Sequence, residues 1–270
     1  MNMKEFMKKL FLYAVIALVI IWFITPIVLI TLSAFAVPDD YYNPKLIIPM
    51  HYTTSHFYKL FVTLGAGKSI LISIYVASIT ILLSFILGIP AGYALARYIF
   101  KGKNGLKLFI LSTRMFPLMV LAIPLLVIYM RLGIADTIIG VAFAHTTMVL
   151  PFVILISSSI LAGVDVEFEE AAEIFGLSRI EAFFKITLPL ALPGLAASAI
   201  FAFIMSWNEV FVASILTLQN RTLPAHILNT AMASPDYFKF TAGFIMAVPA
   251  LIFIFFARKY LVTMWGISLK

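Results

Sequence analysis

The feature that most constrains this chain is a series of six apolar runs, each long enough to cross a bilayer. A hydrocarbon core about 30 Å thick needs ~20 apolar residues of helix. The runs extend approximately from Leu10 to Ala36, Ser69 to Ala96, Leu108 to Met130, Ile138 to Leu161, Leu190 to Leu218 and Phe240 to Ala257. They are continuous rather than alternating every second residue, which excludes a membrane β-barrel. Of the 270 residues, 63% are hydrophobic and 11% charged, against roughly 45–50% and 25% in soluble domains. So few charges cannot cover a water-soluble fold, and a soluble enzyme is excluded. Lys4, Lys8 and Lys9 precede the first run as they would in a signal peptide. That run exceeds the roughly 7–15 residues of a signal core and shows no small-residue cleavage site, so it reads as a retained span. The expectation is an all-α, polytopic membrane protein of six transmembrane helices, one domain over residues 1–270.

Charge sets the orientation. With the N-terminus inside, the inner segments carry twelve Lys and Arg and the outer segments six, Arg114 lying within a span. That asymmetry predicts an N-in, C-in topology in the plasma membrane. It also accounts for the net charge of +7, leaving nothing to support a nucleic-acid partner.

One inner loop, residues 162–189, breaks the positive pattern. It holds Asp165, Glu167, Glu169, Glu170, Glu173 and Glu181 against two bases, Arg179 and Lys185. Asp165 is placed to cap a helix whose first-turn acids suit the positive end of its dipole. Phe168, Ala171, Ala172 and Phe175 recur at helical spacing and form one apolar face, with glutamates opposite. Gly176 fits the left-handed position that ends helices. Ser178 and Glu181 form a capping-box pattern that starts a second helix with Ile180, Phe183 and Phe184 on one face, and Pro189 closes the unit. Periodicity alone fits a helix lying in the lipid interface as well as one docked on a protein. Interfacial helices carry Lys and Arg on the polar face, whereas this one is acidic, which favours a protein partner.

Glu170-Ala171-Ala172, three residues, Gly176, nine residues, Ile186, one residue, Leu188-Pro189 matches at every spacing the EAA motif of ABC-importer permeases. The resemblance continues over nearly the whole chain. It includes Ile89 to Arg97, Arg114-Met115-Phe116-Pro117, Ile123-Pro124, Leu132 to Thr137 and Trp207-Asn208-Glu209. Together they resemble the carbohydrate branch and its smaller, maltose-permease-type subunit. The resemblance implies a type I ABC-importer permease fold. It also implies a second permease subunit, two ATPase subunits and an extracytoplasmic solute-binding protein as partners. ATP and magnesium would sit on the ATPases, with no cofactor on this chain. The loop would be the coupling helix seated in an ATPase cleft, with Glu170 as the charged contact, Ala171 and Ala172 as the close-packing face and Gly176 as the turn. Phe175 departs from the family, which usually has aspartate there, and the tail Thr263 to Lys270 departs from the family's glycine-rich end. In related permeases the outer loop carrying Arg221, Thr222 and Leu223 reaches toward the binding protein; a solvated connector is the alternative.

Catalytic and metal constellations are missing from the sequence. Gly67-Lys68-Ser69 resembles the end of a phosphate loop, but Val62 stands where its first glycine belongs. His51 and His56 have no ligand cluster around them, and there is no cysteine. Ser157, Ser158, Ser159 and His145 share a span without a nucleophile elbow or paired acid, so the expectation is a transporter subunit and no enzyme. Charges at membrane depth cost ~2.5–3.5 kcal/mol each on insertion scales, which singles out Arg114 and Glu209. Their heights differ by about 13 Å at 1.5 Å per residue, so each needs its own partner, one candidate being the other permease subunit. Arg114 is also close enough to its span end to snorkel. Asn208 and Glu209 read as facing the pathway or subunit interface, or as an interhelical hydrogen bond. Importers of polyol phosphates or polyamines share the loop motif, and an ion-driven secondary transporter is the remaining rival. The latter ordinarily shows internal repeats and buried relays, which this sequence lacks.

Overall fold

The computed structural model describes residues 3–231 and 234–264. In chain order its helices are α1 (Met3–Phe35), α2 (Pro38–Tyr41), α3 (Ser55–Tyr58), α4 (Ala66–Arg97), α5 (Lys103–Ser112), α6 (Leu118–Arg131) and α7 (Ile138–Ala162). There follow α8 (Glu167–Ile174), α9 (Arg179–Ala182), α10 (Leu188–Trp207), α11 (Phe211–Leu216), α12 (Leu223–Ala231) and α13 (Asp236–Met264). Among the described residues, the extended backbone pairs only in an isolated bridge between Ala36 and Tyr52. Five helices among the described residues are long and apolar enough to cross a membrane, and a broken pair makes a sixth if counted as one span. The last residues of the unusual C-terminal tail, 265–270, lie outside the described residues.

The chain divides into two compact units, Met1–Gly65 with Asn229–Val248, and Ala66–Leu228 with Pro249–Lys270. In the first, α1 is exposed from Met7 to Ile30, and Thr25 and Thr31 satisfy their hydroxyls by donating to the carbonyls of Ile21 and Ile27. Asp40 accepts the backbone N–H groups of His51 and Met50 at 2.6 and 2.7 Å. These donors hold its carboxyl below the ordinary value. His56 lies 2.9 Å from the Ala36 carbonyl, and Thr241 donates to the Ala34 carbonyl at 2.9 Å.

The second unit is built on α4, α7 and α10. Small residues on α4, namely Ser73, Ala77, Thr80, Ser84, Gly88 and Gly92, are all buried. A Cβ on Gly88 would lie 2.7 Å from Val153 of α7, and one on Gly92 would lie 2.9 Å from both Ser157 Cβ and the Ser158 backbone nitrogen. Membrane helices associate through such close backbone approach, because lipid offers no hydrophobic contrast to drive them together. Gly194 of α10 meets Ile160 of α7 in the same way, at 2.7 Å.

Two expected spans are corrected. The third is not one helix: α5 runs into a 3₁₀ turn at Thr113–Met115, Phe116 and Pro117 are extended, and α6 then leaves at 88°. Proline excludes its predecessor from the helical region, so Pro117 breaks the span. The fifth ends at Trp207 rather than Leu218, with a break before the short helix α11. Pro189, read as closing the loop, instead lies inside an unbroken helical stretch, Arg179–Trp207. A π-helical turn at Phe183–Thr187 widens the backbone just ahead of the proline, which in a regular helix would clash with the carbonyl four residues earlier.

Candidate coupling site

The loop 162–189 folds as two helices joined by a glycine turn. Gly176 has φ +89°, and a Cβ there would meet no atom within 4 Å, so its requirement for glycine is one of backbone conformation alone. The Ser178 hydroxyl accepts the Glu181 N–H at 3.3 Å, and the Glu181 carboxylate accepts the Ser178 N–H at 3.0 Å. Asp165 does not cap α8. Val166 occupies the cap position with helical angles and no side-chain cap bond.

The faces of α8 also depart from expectation. Phe168, Ala171 and Phe175 are exposed, as are Glu170, Glu173 and Ile174. Ala172, expected beside Ala171 on an open face, is turned inward with Glu169, which is three residues away and on the same side of the helix. Glu169 is 3% exposed. Arg97 donates through Nε and Nη2 to its Oε1 at 2.8 and 2.7 Å. Thr187 donates to the same oxygen at 2.6 Å, and the Tyr93 hydroxyl donates to Oε2 at 2.7 Å. Burial alone would push this carboxyl up, but the bonds from Thr187, Tyr93 and Arg97 and the Arg97 charge outweigh it and hold the group below its usual value. Sequence reading placed Glu169 with the glutamates opposite the apolar face. A signal was present, since Tyr93 and Arg97 stand four apart at the end of α4 and present two donors on one face.

Glu209 and Arg114, expected inside spans, each stand at a helix break and each have a partner in this chain. Glu209 sits in the break between α10 and α11, where Oε1 accepts the Val212 N–H at 2.8 Å and Oε2 the Ala213 N–H at 2.9 Å. Its Oε2 lies 3.3 Å from Nε2 of His145, whose Nδ1 is 2.8 Å from the Ser206 hydroxyl. Glu209 is 7% exposed and His145 fully buried. The carboxylate thus caps a short helix and ties it to α7. Asn208 is exposed, and its amide donates to the Ile204 carbonyl at 3.0 Å. Arg114 stands in the 3₁₀ turn with its guanidinium 5.4 Å from the Phe152 ring centre, within cation–π range, while its Nε is buried without a hydrogen-bond acceptor.

The sequence profile of binding-protein-dependent transport system inner membrane components matches residues 84–264. The chain belongs to that family. It is a multi-pass membrane protein and an ABC permease, as the EAA resemblance anticipated. The permease is 27% identical to the inner membrane ABC transporter permease protein YcjP of Escherichia coli, over 96% of this chain and 95% of that one. It is 30% identical to the trehalose transport system permease protein SugB of Mycobacterium tuberculosis, over 80% and 81%. Its fold is similar to that of a chain in a bacterial ABC transporter importing the acidic polysaccharide alginate, with a TM-score of 0.74, 19% identity and coverage of 96% and 98%. A chain of the MetNI methionine ABC transporter aligns at a TM-score of 0.59, 15% identity and coverage of 74% and 94%.

The permease's remaining candidate residues lie at the far end of α11. Asp136, at φ 55°, accepts the N–H groups of Leu218, Gln219 and Asn220 at 3.0–3.2 Å. Burial pushes its carboxyl up, but the N–H groups of Asn220, Leu218 and Gln219 and the charge of Arg221 more than offset this. Arg221 is half-buried; Thr222 and Leu223 are 2% and 0% exposed, and the Leu223 N–H reaches the Ser73 hydroxyl at 2.7 Å. At the start of this loop Leu218 and Gln219 are exposed.

Proposed function

We propose that this permease is one of two membrane subunits of an ATP-driven importer for a sugar or oligosaccharide, with both termini on the cytoplasmic side. Loop 162–189 is then the coupling helix on which a separate ATPase subunit acts. The observation that carries the reading is the shape of that loop. It presents Phe168, Ile174, Phe175, Ile180 and Phe184 outward, between 52% and 89% exposed, on a two-helix unit that hydrogen bonds fix to the spans. An apolar crest of this size on a short, rigid element outside the bilayer calls for a protein partner. Glu170 and Ala171, exposed among those rings, take the charged and close-packing contacts, and Gly176 sets the angle between the two helices. Ala172 supports α8 from inside, and Leu188 and Pro189 feed the loop into α10. Phe175, in place of the family's aspartate, adds apolar area to the crest.

ATP and magnesium belong to the partner ATPases, and this chain supplies motion rather than chemistry. On the opposite side, Leu218 and Gln219 beside Arg221 are what the start of the loop offers a solute-binding protein, since Thr222 and Leu223 are covered. The sugar assignment is supported by the relatives named for sugar transport, including those for trehalose and α-glucosides. The test is reconstitution of the permease with its partner permease, ATPase and binding protein in liposomes. Uptake of a labelled sugar that requires ATP and the binding protein is expected. Uptake driven by an ion gradient without the ATPase would refute the proposal.

A further inference from the structure

Glu169 lies outside the EAA spacing, yet it is where three segments converge. Its carboxylate belongs to α8, its Arg97 and Tyr93 donors to the last turn and a half of α4, and its Thr187 donor to the π-helical turn that opens into α10. The rest of α8 has little hold on the spans, because Glu169 and Ala172 are its only buried residues. A two-turn helix with one buried methyl group would slide or roll when pushed at its exposed crest. The arginine contact prevents this, since Nε and Nη2 of one planar guanidinium both close on Oε1 and so fix direction as well as distance. The side chains of Arg97 and Glu169 are 3% and 4% exposed. A buried ion pair contributes little net stability over apolar packing of the same volume, so stability alone does not account for it.

We propose that Glu169 is the positioning residue through which displacement of α8 is passed to α4 and α10 together. This rests on the coupling role given to the loop above, and it adds the point at which force leaves the loop. Glu170 receives the partner's push on the outside of α8, and Glu169, its neighbour on the inside, delivers it.

The experiment uses the full complex in liposomes, with solute entry and ATP hydrolysis measured on the same sample. Glu169→Gln and Arg97→Gln should each lower the number of solute molecules taken up per ATP by about tenfold or more, in complexes that still co-purify with the ATPase. The double variant should be no worse than either single one, because the two groups act as a unit. Tyr93→Phe and Thr187→Val, which leave the ion pair in place, should lower the ratio by roughly two- to fivefold. They decide the matter if the charge variants fail to assemble. Because the chain has no cysteine, spin labels at Glu173→Cys and Lys101→Cys, both exposed, report the loop directly. A narrow distance distribution in the parent complex should broaden in Tyr93→Phe and Thr187→Val. An unchanged uptake-to-ATP ratio in assembled Glu169→Gln and Arg97→Gln, or in Tyr93→Phe and Thr187→Val, overturns the proposal. Failure of the parent complex to link uptake to ATP would instead overturn the functional reading beneath it.

Discussion

Replacing Glu209 by alanine gives the sharpest stability test. The variant removes the acceptor for the N–H groups of Val212 and Ala213, which are 3% and 0% exposed and have no water to turn to. A buried donor left without an acceptor costs about 1–3 kcal/mol. His145 loses the carboxylate 3.3 Å away at the same time. Two such donors put the loss at about 2–6 kcal/mol. At roughly 2–4 °C per kcal/mol for a domain of this size, the melting temperature should drop by about 4–24 °C. Glu209→Gln retains one acceptor oxygen, so its loss should be about half. Asn208→Ala, which removes only an exposed amide bonded to the Ile204 carbonyl, should shift melting by less than ~2 °C. Fluorescence-detected melting of the assembled complex in lipid nanodiscs measures all three. A Glu209→Ala complex melting within 2 °C of the parent would show that the carboxylate does not hold α11 to α7.

Four further outcomes are expected. Gly92→Leu should abolish assembly, because its first side-chain atom would already sit 2.9 Å from the Ser158 backbone nitrogen; Gly105→Ala, with nothing within 4 Å, should purify at the parent yield. Gly176→Ala should lower coupled uptake through the roughly 1–2 kcal/mol penalty of a left-handed backbone, whereas Gly176→Asn, which tolerates that conformation, should be milder. The uptake-to-ATP ratio should hold constant down to about pH 5 and decline only in more acidic buffer. The folded Glu169 carboxyl lies below its usual value, so its contribution is complete above the unfolded value of about 4.3 and is lost as pH falls through the folded one. Glu170→Lys should weaken co-purification with the ATPase while leaving the melting temperature within ~1 °C, since an exposed charge contributes little to stability.

What was legible in the sequence was whatever depends on local chemistry. The capping box at Ser178 and Glu181 and the left-handed Gly176 involve neighbours a few residues apart, and both stand where the spacing put them. The apolar runs located the second and fourth spans to within three residues of α4 and α7, because length and hydropathy determine a spanning helix. Pairings across the sequence were not legible. Glu169 and Thr187 are 18 residues apart, Arg97 lies 72 residues before Glu169, and His145 and Ser206 are 61 apart. Periodicity sorts residues onto faces but does not say that a glutamate on a polar face meets an arginine from another span. Proline was misleading in both directions. Pro117 breaks the third span where hydropathy runs on, while Pro189 is carried inside a helix because a π-helical turn makes room for it.

That accommodation has a mechanical result. From Arg179 to Trp207 the backbone never leaves helical conformation, a rise of roughly 40 Å compared with a hydrocarbon thickness of about 30 Å. The stretch is therefore longer than the hydrocarbon is thick, and its two irregular points, the π-helical turn at Phe183–Thr187 and Pro193, leave it one continuous helix. Under the coupling role proposed above, a small tilt imposed at the Arg179 end would emerge at Trp207 as a sideways swing.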